Sequence, residues 1–115
     1  MGDRANIVIQ EGGREIYFYT HCGGSDLPVV LQNALVRGND RWDDEPYINR
    51  IIFCEMIQDD VMGSTGFGID SREGDNEHPL IYVNHDEGVV QIEEHKWSFA
   101  EYVKLDLSRE IPKWW

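Results

Sequence analysis

Three things are scarce in this chain of 115 residues, and each scarcity excludes something. Cysteine occurs twice, as Cys22 and Cys54, and the two do not form a C-x-x-C pair. That excludes a disulfide framework and leaves two reduced thiols, with Cys54 expected inside a helix. No apolar run approaches the roughly 20 residues that cross a bilayer. The start, M-G-D-R-A-N, lacks the basic-then-apolar order of a signal peptide and fits a myristoylation motif poorly. A cytoplasmic protein is the expectation. Positive charge is the third shortage: 10 Lys and Arg face 22 Asp and Glu, for a net charge of −12.

The imbalance is local. Residues 40–94 hold 15 acids against Arg41, Arg50 and Arg72, which by itself leaves −12, while the flanks cancel. A field of this sign repels nucleic acids and anionic membranes and attracts cations or basic protein surfaces. Direct nucleic-acid binding and membrane association are therefore disfavoured.

What is present is enough for a core. Hydrophobic residues make up 41% and aromatics 11%, so one folded domain over 1–115 is expected, with 106–115 as a C-terminal tail of no clear period. The chain is organised around Glu15–Gly38. Ile16, Phe18 and Thr20 alternate with Tyr17, Tyr19 and His21 as on a strand. Gly23 and Gly24 then allow a sharp turn. Ser25 or Asp26 can cap a helix with Pro28 in its first turn. Leu27, Val30, Leu31, Ala34 and Leu35 make one apolar stripe, and Gly38 stops it.

Before this stretch, A-N-I-V-I-Q at 5–10 reads as a strand, joined to the next by a Gly12-Gly13 hairpin turn. After it, Asp43 or Asp44 begins a second helix with Pro46 in its first turn. The run I-I-F-C at 51–54 suits a strand as well, but the cap and Pro46 favour a helix ending near Gln58. T-G-F-G-I at 65–69, then Leu80–Val83 and Val89–Ile92, read as strands. Ser98 and Glu101 make a capping box for a short helix over Phe99–Lys104. The order ββααβββα predicts an α+β fold: a mainly antiparallel sheet with helices on one face, in two layers. Crossover helices between parallel strands are not indicated.

The most suggestive site is the turn His21-Cys22-Gly23-Gly24-Ser25. Glycine N–H groups at a helix start form an anion pocket, to which His21 and the Ser25 hydroxyl add donors. Arg4, Arg41 and Trp42 are further candidates, since an arginine fork takes a carboxylate or phosphate and an indole stacks on a planar group. Each has a plainer reading: glycines serving turn geometry, and arginines paired with nearby acids. Cys22 beside His21 does not make a catalytic pair, because neighbours on a strand point oppositely. His78, His85 and His95 show no metal-ligand spacing, and residues 70–77 do not match a calcium loop. No metal, no cofactor and no catalytic triad are expected. Trp97, Trp114 and Trp115 either pack on the sheet or mark an interface.

Several segments together (M-G-D-R-A-N, Y-T-H-C-G-G, R-W-D-D, I-I-F-C-E-M-I, G-S-T-G-F-G-I and G-D-N-E-H-P-L-I) resemble a family of small uncharacterised bacterial and phage proteins, over nearly the whole chain. In that family the position of Cys22 is associated with tryptophan, which argues against a role for the thiol. The resemblance implies no activity.

Two functional readings follow, with a small hydrolase as a third. In the first, a non-catalytic protein binds a small anionic, nucleotide-like ligand through His21, Gly23, Gly24 and Ser25, with Arg4, Arg41 and Trp42 nearby. In the second, the acidic 40–94 surface docks on a basic protein, as an inhibitor or nucleic-acid mimic.

Overall fold

Strand β1 (Ala5–Glu11) runs into β2 (Arg14–Thr20) through Gly12 and Gly13, whose φ values are +59° and +78°. Both angles favour glycine, and the two-residue turn sets the register, with Glu11 opposite Arg14 and Ile7 opposite Phe18. The structure is a computed structural model that describes residues 2–110 and Trp115. After β2 comes a short 3-10 turn (Gly24–Asp26), then α1 (Leu27–Arg37) and α2 (Glu45–Ile57). The I-I-F-C run is thus helical, as its preceding cap and Pro46 predict. Asp26 and Asp44 occupy the N-cap positions without a side-chain capping bond.

Four short strands follow: β3 (Phe67–Asp70), β4 (Ile81–Asn84), β5 (Val89–Ile92) and β6 (His95–Ser98). Two single-turn helices end the described part, α3 (Phe99–Tyr102) and α4 (Leu107–Glu110). The Ser98–Glu101 capping box is formed in both directions. All six strands make one sheet in the order β3-β2-β1-β4-β5-β6. The fold is α+β and mostly antiparallel, as expected from the sequence. Strand β6 and helix α4 were not anticipated, and neither was the parallel pairing of β1 with β4. It arises because residues 71–80 carry the chain across the open face of the sheet to the far side of β1.

Ile7, Ile9, Phe18, Ile81, Val83, Val90 and Ile92 line the covered face. Leu31, Leu35, Ile48 and Ile52 descend on them from α1 and α2, and Phe99 and Tyr102 from α3. Each such side chain contributes about 1.5–3 kcal/mol by leaving water. Val8, on the opposite face, is also fully buried, between its cross-strand neighbours Tyr17 and Tyr82. Loop 71–78 lies over this open face: Asn6 Nδ2 donates to the Gly74 carbonyl at 3.2 Å, and Gly74 N–H donates back to Asn6 Oδ1. The loop also leaves no room for a side chain at Gly74, where a Cβ would stand 2.8 Å from the Tyr19 ring.

Candidate functional site

The end of β2 and the start of α1 bring His21, Gly23, Gly24 and Ser25 together, and Asp3 lies against them. Every N–H of Gly23, Gly24, Ser25 and Asp26 has a partner. Gly23 donates to Thr20 Oγ1 at 3.0 Å, Gly24 to the Asp3 carbonyl at 2.7 Å, and Asp26 to the Gly23 carbonyl at 3.2 Å. Ser25 donates to Asp3 Oδ2 at 2.7 Å. An internal carboxylate therefore stands where an external anion was expected, as electrostatics at a helix start favours.

His78 completes the cluster. Its Nε2 lies 2.6 Å from Asp3 Oδ1 and its Nδ1 2.9 Å from the Trp115 carbonyl oxygen. The Trp115 indole stacks on His78 at 4.6 Å and donates to the Gly24 carbonyl at 2.9 Å. Hydrogen bonding from Ser25, then from His78, holds the Asp3 carboxyl down at about 2. Gly24 is a matter of space: its φ is not positive, but a Cβ there would stand 2.5 Å from the Asp3 carbonyl oxygen and 2.8 Å from His78 Cδ2. Asp3, His78 and Trp115 carried no local signal: Asp3 and His78 are 75 residues apart, and Trp115 is 91 from Gly24.

Arg4 is close to the turn but engaged. Its Nε and Nη1 reach Glu77 at 3.2 Å and Asp75 at 3.3 Å, and its backbone N–H also donates to Glu77. These bonds raise the Arg4 pKa and lower that of Glu77. Arg41 and Trp42 are at the other end of α1, some 16 Å of helix away. Arg41 lies over the Tyr47 ring at 5.4 Å. The Trp42 indole donates to the Leu35 carbonyl at 3.0 Å and meets the Phe99 ring edge-on at 5.9 Å, so it closes the α1–α2 connection. His21 Nδ1 is 2.9 Å from the Tyr19 hydroxyl. His85 is half-buried against Asn49 Oδ1 at 2.7 Å, and burial lowers its pKa. Among the described residues no group of three His, Cys, Asp or Glu is placed to hold a metal ion, and no helix is long and apolar enough to cross a membrane. Cys22 is exposed and Cys54 half-buried, both as free thiols. Trp97 packs against the core; Trp114 lies outside the described residues.

A pocket of about 230 Å³ opens beside the turn, between the starts of α1 and β3 and the end of α2. Its apolar lining is Leu27, Val30, Met56 and Phe67, and its acids are Asp26, Glu55, Asp59 and Asp60. Glu55 is tied to Arg37 at 2.9 Å. Asp26, Asp59 and Asp60 have no ion-pair partner among the described residues. An apolar lining with uncompensated carboxylates suits a long basic side chain, which buries its methylenes and keeps its charge at the rim. Comparison with protein-family models, with curated proteins and with solved structures finds no match.

Proposed function

We propose that this protein docks through its acidic surface on a basic protein partner, with the pocket at Asp26, Asp59 and Asp60 receiving a lysine or arginine side chain. The observation that carries this reading is the pocket itself, where Asp26, Asp59 and Asp60, with no ion-pair partner among the described residues, border an apolar lining. It lies in a chain of net charge −12, whose field accelerates approach of a cationic surface. A surface of this sign can also stand in for nucleic-acid phosphates, which makes an inhibitor of a nucleic-acid enzyme one form of the same activity. The anionic-ligand reading is less favoured, because a ligand at the turn would have to displace Asp3 from Ser25.

The test compares two charge reversals of equal size, using oligolysine as the probe in calorimetry at about physiological salt, where screening acts within about 8 Å. Asp59→Lys with Asp60→Lys should weaken binding about tenfold or more. Glu93→Lys with Glu94→Lys, at the opposite edge of the sheet, should change it about threefold or less. Equal losses would mean the probe reads only net charge and would remove the pocket from the account.

A further inference from the structure

Strand β3 is one edge of the sheet, four residues long and guarded within the strand by a single charge, Asp70. Phe67-Gly68-Ile69-Asp70 has no lysine and no proline, and Ile69 is 53% exposed. The opposite edge differs: β6 carries Lys96 and runs directly into α3. The hydrogen bond from His21 N–H to the Gly66 carbonyl, at 2.9 Å, sets the phase of the antiparallel ladder. With Tyr19 opposite Gly68 and Tyr17 opposite Asp70, the peptide groups of Phe67 and Ile69 point away from β2. Two donors and two acceptors are thus presented along the edge, beside the exposed side chain of Ile69.

Charge decides what can pair there. Asp59 and Asp60 precede the strand, Asp70 ends it and Glu73 follows, all exposed, against the single base Arg72 beside Ile69 and Asp70. A second copy would bring the same carboxylates against these, with −12 on each chain. A basic extended segment meets the opposite situation. Phe67 belongs both to the edge and to the acidic pocket, and its side chain is on the helix-covered side with those of Thr20 and Leu27. A residue placed opposite Phe67 on an added strand would share that side and face the pocket.

We infer that β3 is the docking edge for an extended basic segment of a partner protein, which adds a seventh strand to the sheet beside Phe67–Asp70 and directs a lysine or arginine into the adjoining pocket. The inference rests on the acidic-docking reading above and adds the backbone geometry to it. Main-chain bonds hold the segment, apolar contact with Ile69 fixes its face, and the carboxylates select its charge.

The test uses the full chain and two short peptides of lysine and valine with the same sequence. In one of them alternate amides are N-methylated, so that it keeps its charge but cannot donate along one edge. The unmodified peptide should bind about tenfold more tightly or better. It should also slow hydrogen exchange at the Phe67 and Ile69 amides about tenfold or more, measured residue by residue by NMR. If both peptides bind alike and those two amides exchange unchanged, strand addition is wrong while acidic docking stands. If neither peptide binds, the acidic-docking reading fails, and this inference with it. Dimerisation of the chain alone, protecting the same amides, would assign the edge to a second copy and overturn the basic partner.

Discussion

Asp3 occupies the place where an outside anion was expected, and its ionised form is what the turn binds. Its carboxyl titrates at about 2 in the folded chain against 3.8 ordinarily, so the unfolded chain takes up the proton first as pH falls. The stability that Asp3 contributes is therefore complete above about pH 5 and is lost as pH falls through about 4 toward 2. Since 32% of the side chain is exposed, solvent screening reduces that contribution to about 1 kcal/mol. Asp3→Asn should cost about that much at neutral pH, and the gap between variant and wild type should narrow below pH 4. Urea unfolding at a series of pH values checks this; a gap that stays constant down to pH 2 would show that the charge is irrelevant.

Between elements, α1 and α2 approach closely at Gly38. This residue ends α1 with φ −100°, which any residue adopts, so backbone freedom does not explain it. The reason is packing: a Cβ would lie 2.6 Å from Ile48 Cδ1 and 3.1 Å from Ile51 Cδ1, where α2 crosses behind. Gly38→Ala should cost about 1–3 kcal/mol by overpacking. Ile48→Val removes the obstructing methyl, so the double variant should be more stable than the sum of the two single losses implies. Simple additivity in a denaturation cycle would refute the contact. The other end of α1 is held by the C-terminal segment. The buried Tyr102 hydroxyl donates to the Pro28 carbonyl at 2.8 Å, and Gln32 donates to the carbonyls of Tyr102 and Leu105.

Over the whole molecule, a net charge of −12 predicts that self-repulsion outweighs pairing. The ion pairs Arg4–Glu77 and Lys96–Glu87 lie at the surface and are worth little individually. The excess of 22 acids over 10 bases acts on every part of the folded chain. Raising salt from about 10 mM to about 100 mM shortens the screening length from about 30 Å to about 10 Å. Melting temperature should accordingly rise across that range. A melting temperature that falls with added salt would mean that attractive pairs dominate after all.

Local chemistry decided most of the elements. The Gly12-Gly13 turn, the apolar stripe of α1, Pro46 after Asp44 and the Ser98–Glu101 box each act within a few residues, so sequence alone determined them. Strand β6 escaped because its turn, Glu93-Glu94, has no turn residue, and pairing with β5 holds Glu93 at φ +54°. Likewise the β1–β4 pairing depends on where a long crossing connection lands, and no periodicity records that. At the candidate site the sequence named His21, Gly23, Gly24 and Ser25 as neighbours, and they are. It did not show that Asp3, His78 and Trp115 would close over them, whereas the helix it predicted up to Gly38 already separates Arg41 and Trp42 from the turn. The pocket beside Phe67 joins α1, α2 and β3, which meet only when the sheet and helices pack. Turn and helix signals come from short-range sterics and hydrogen bonding, whereas such meetings depend on how the whole core closes, and only the tertiary structure decided them.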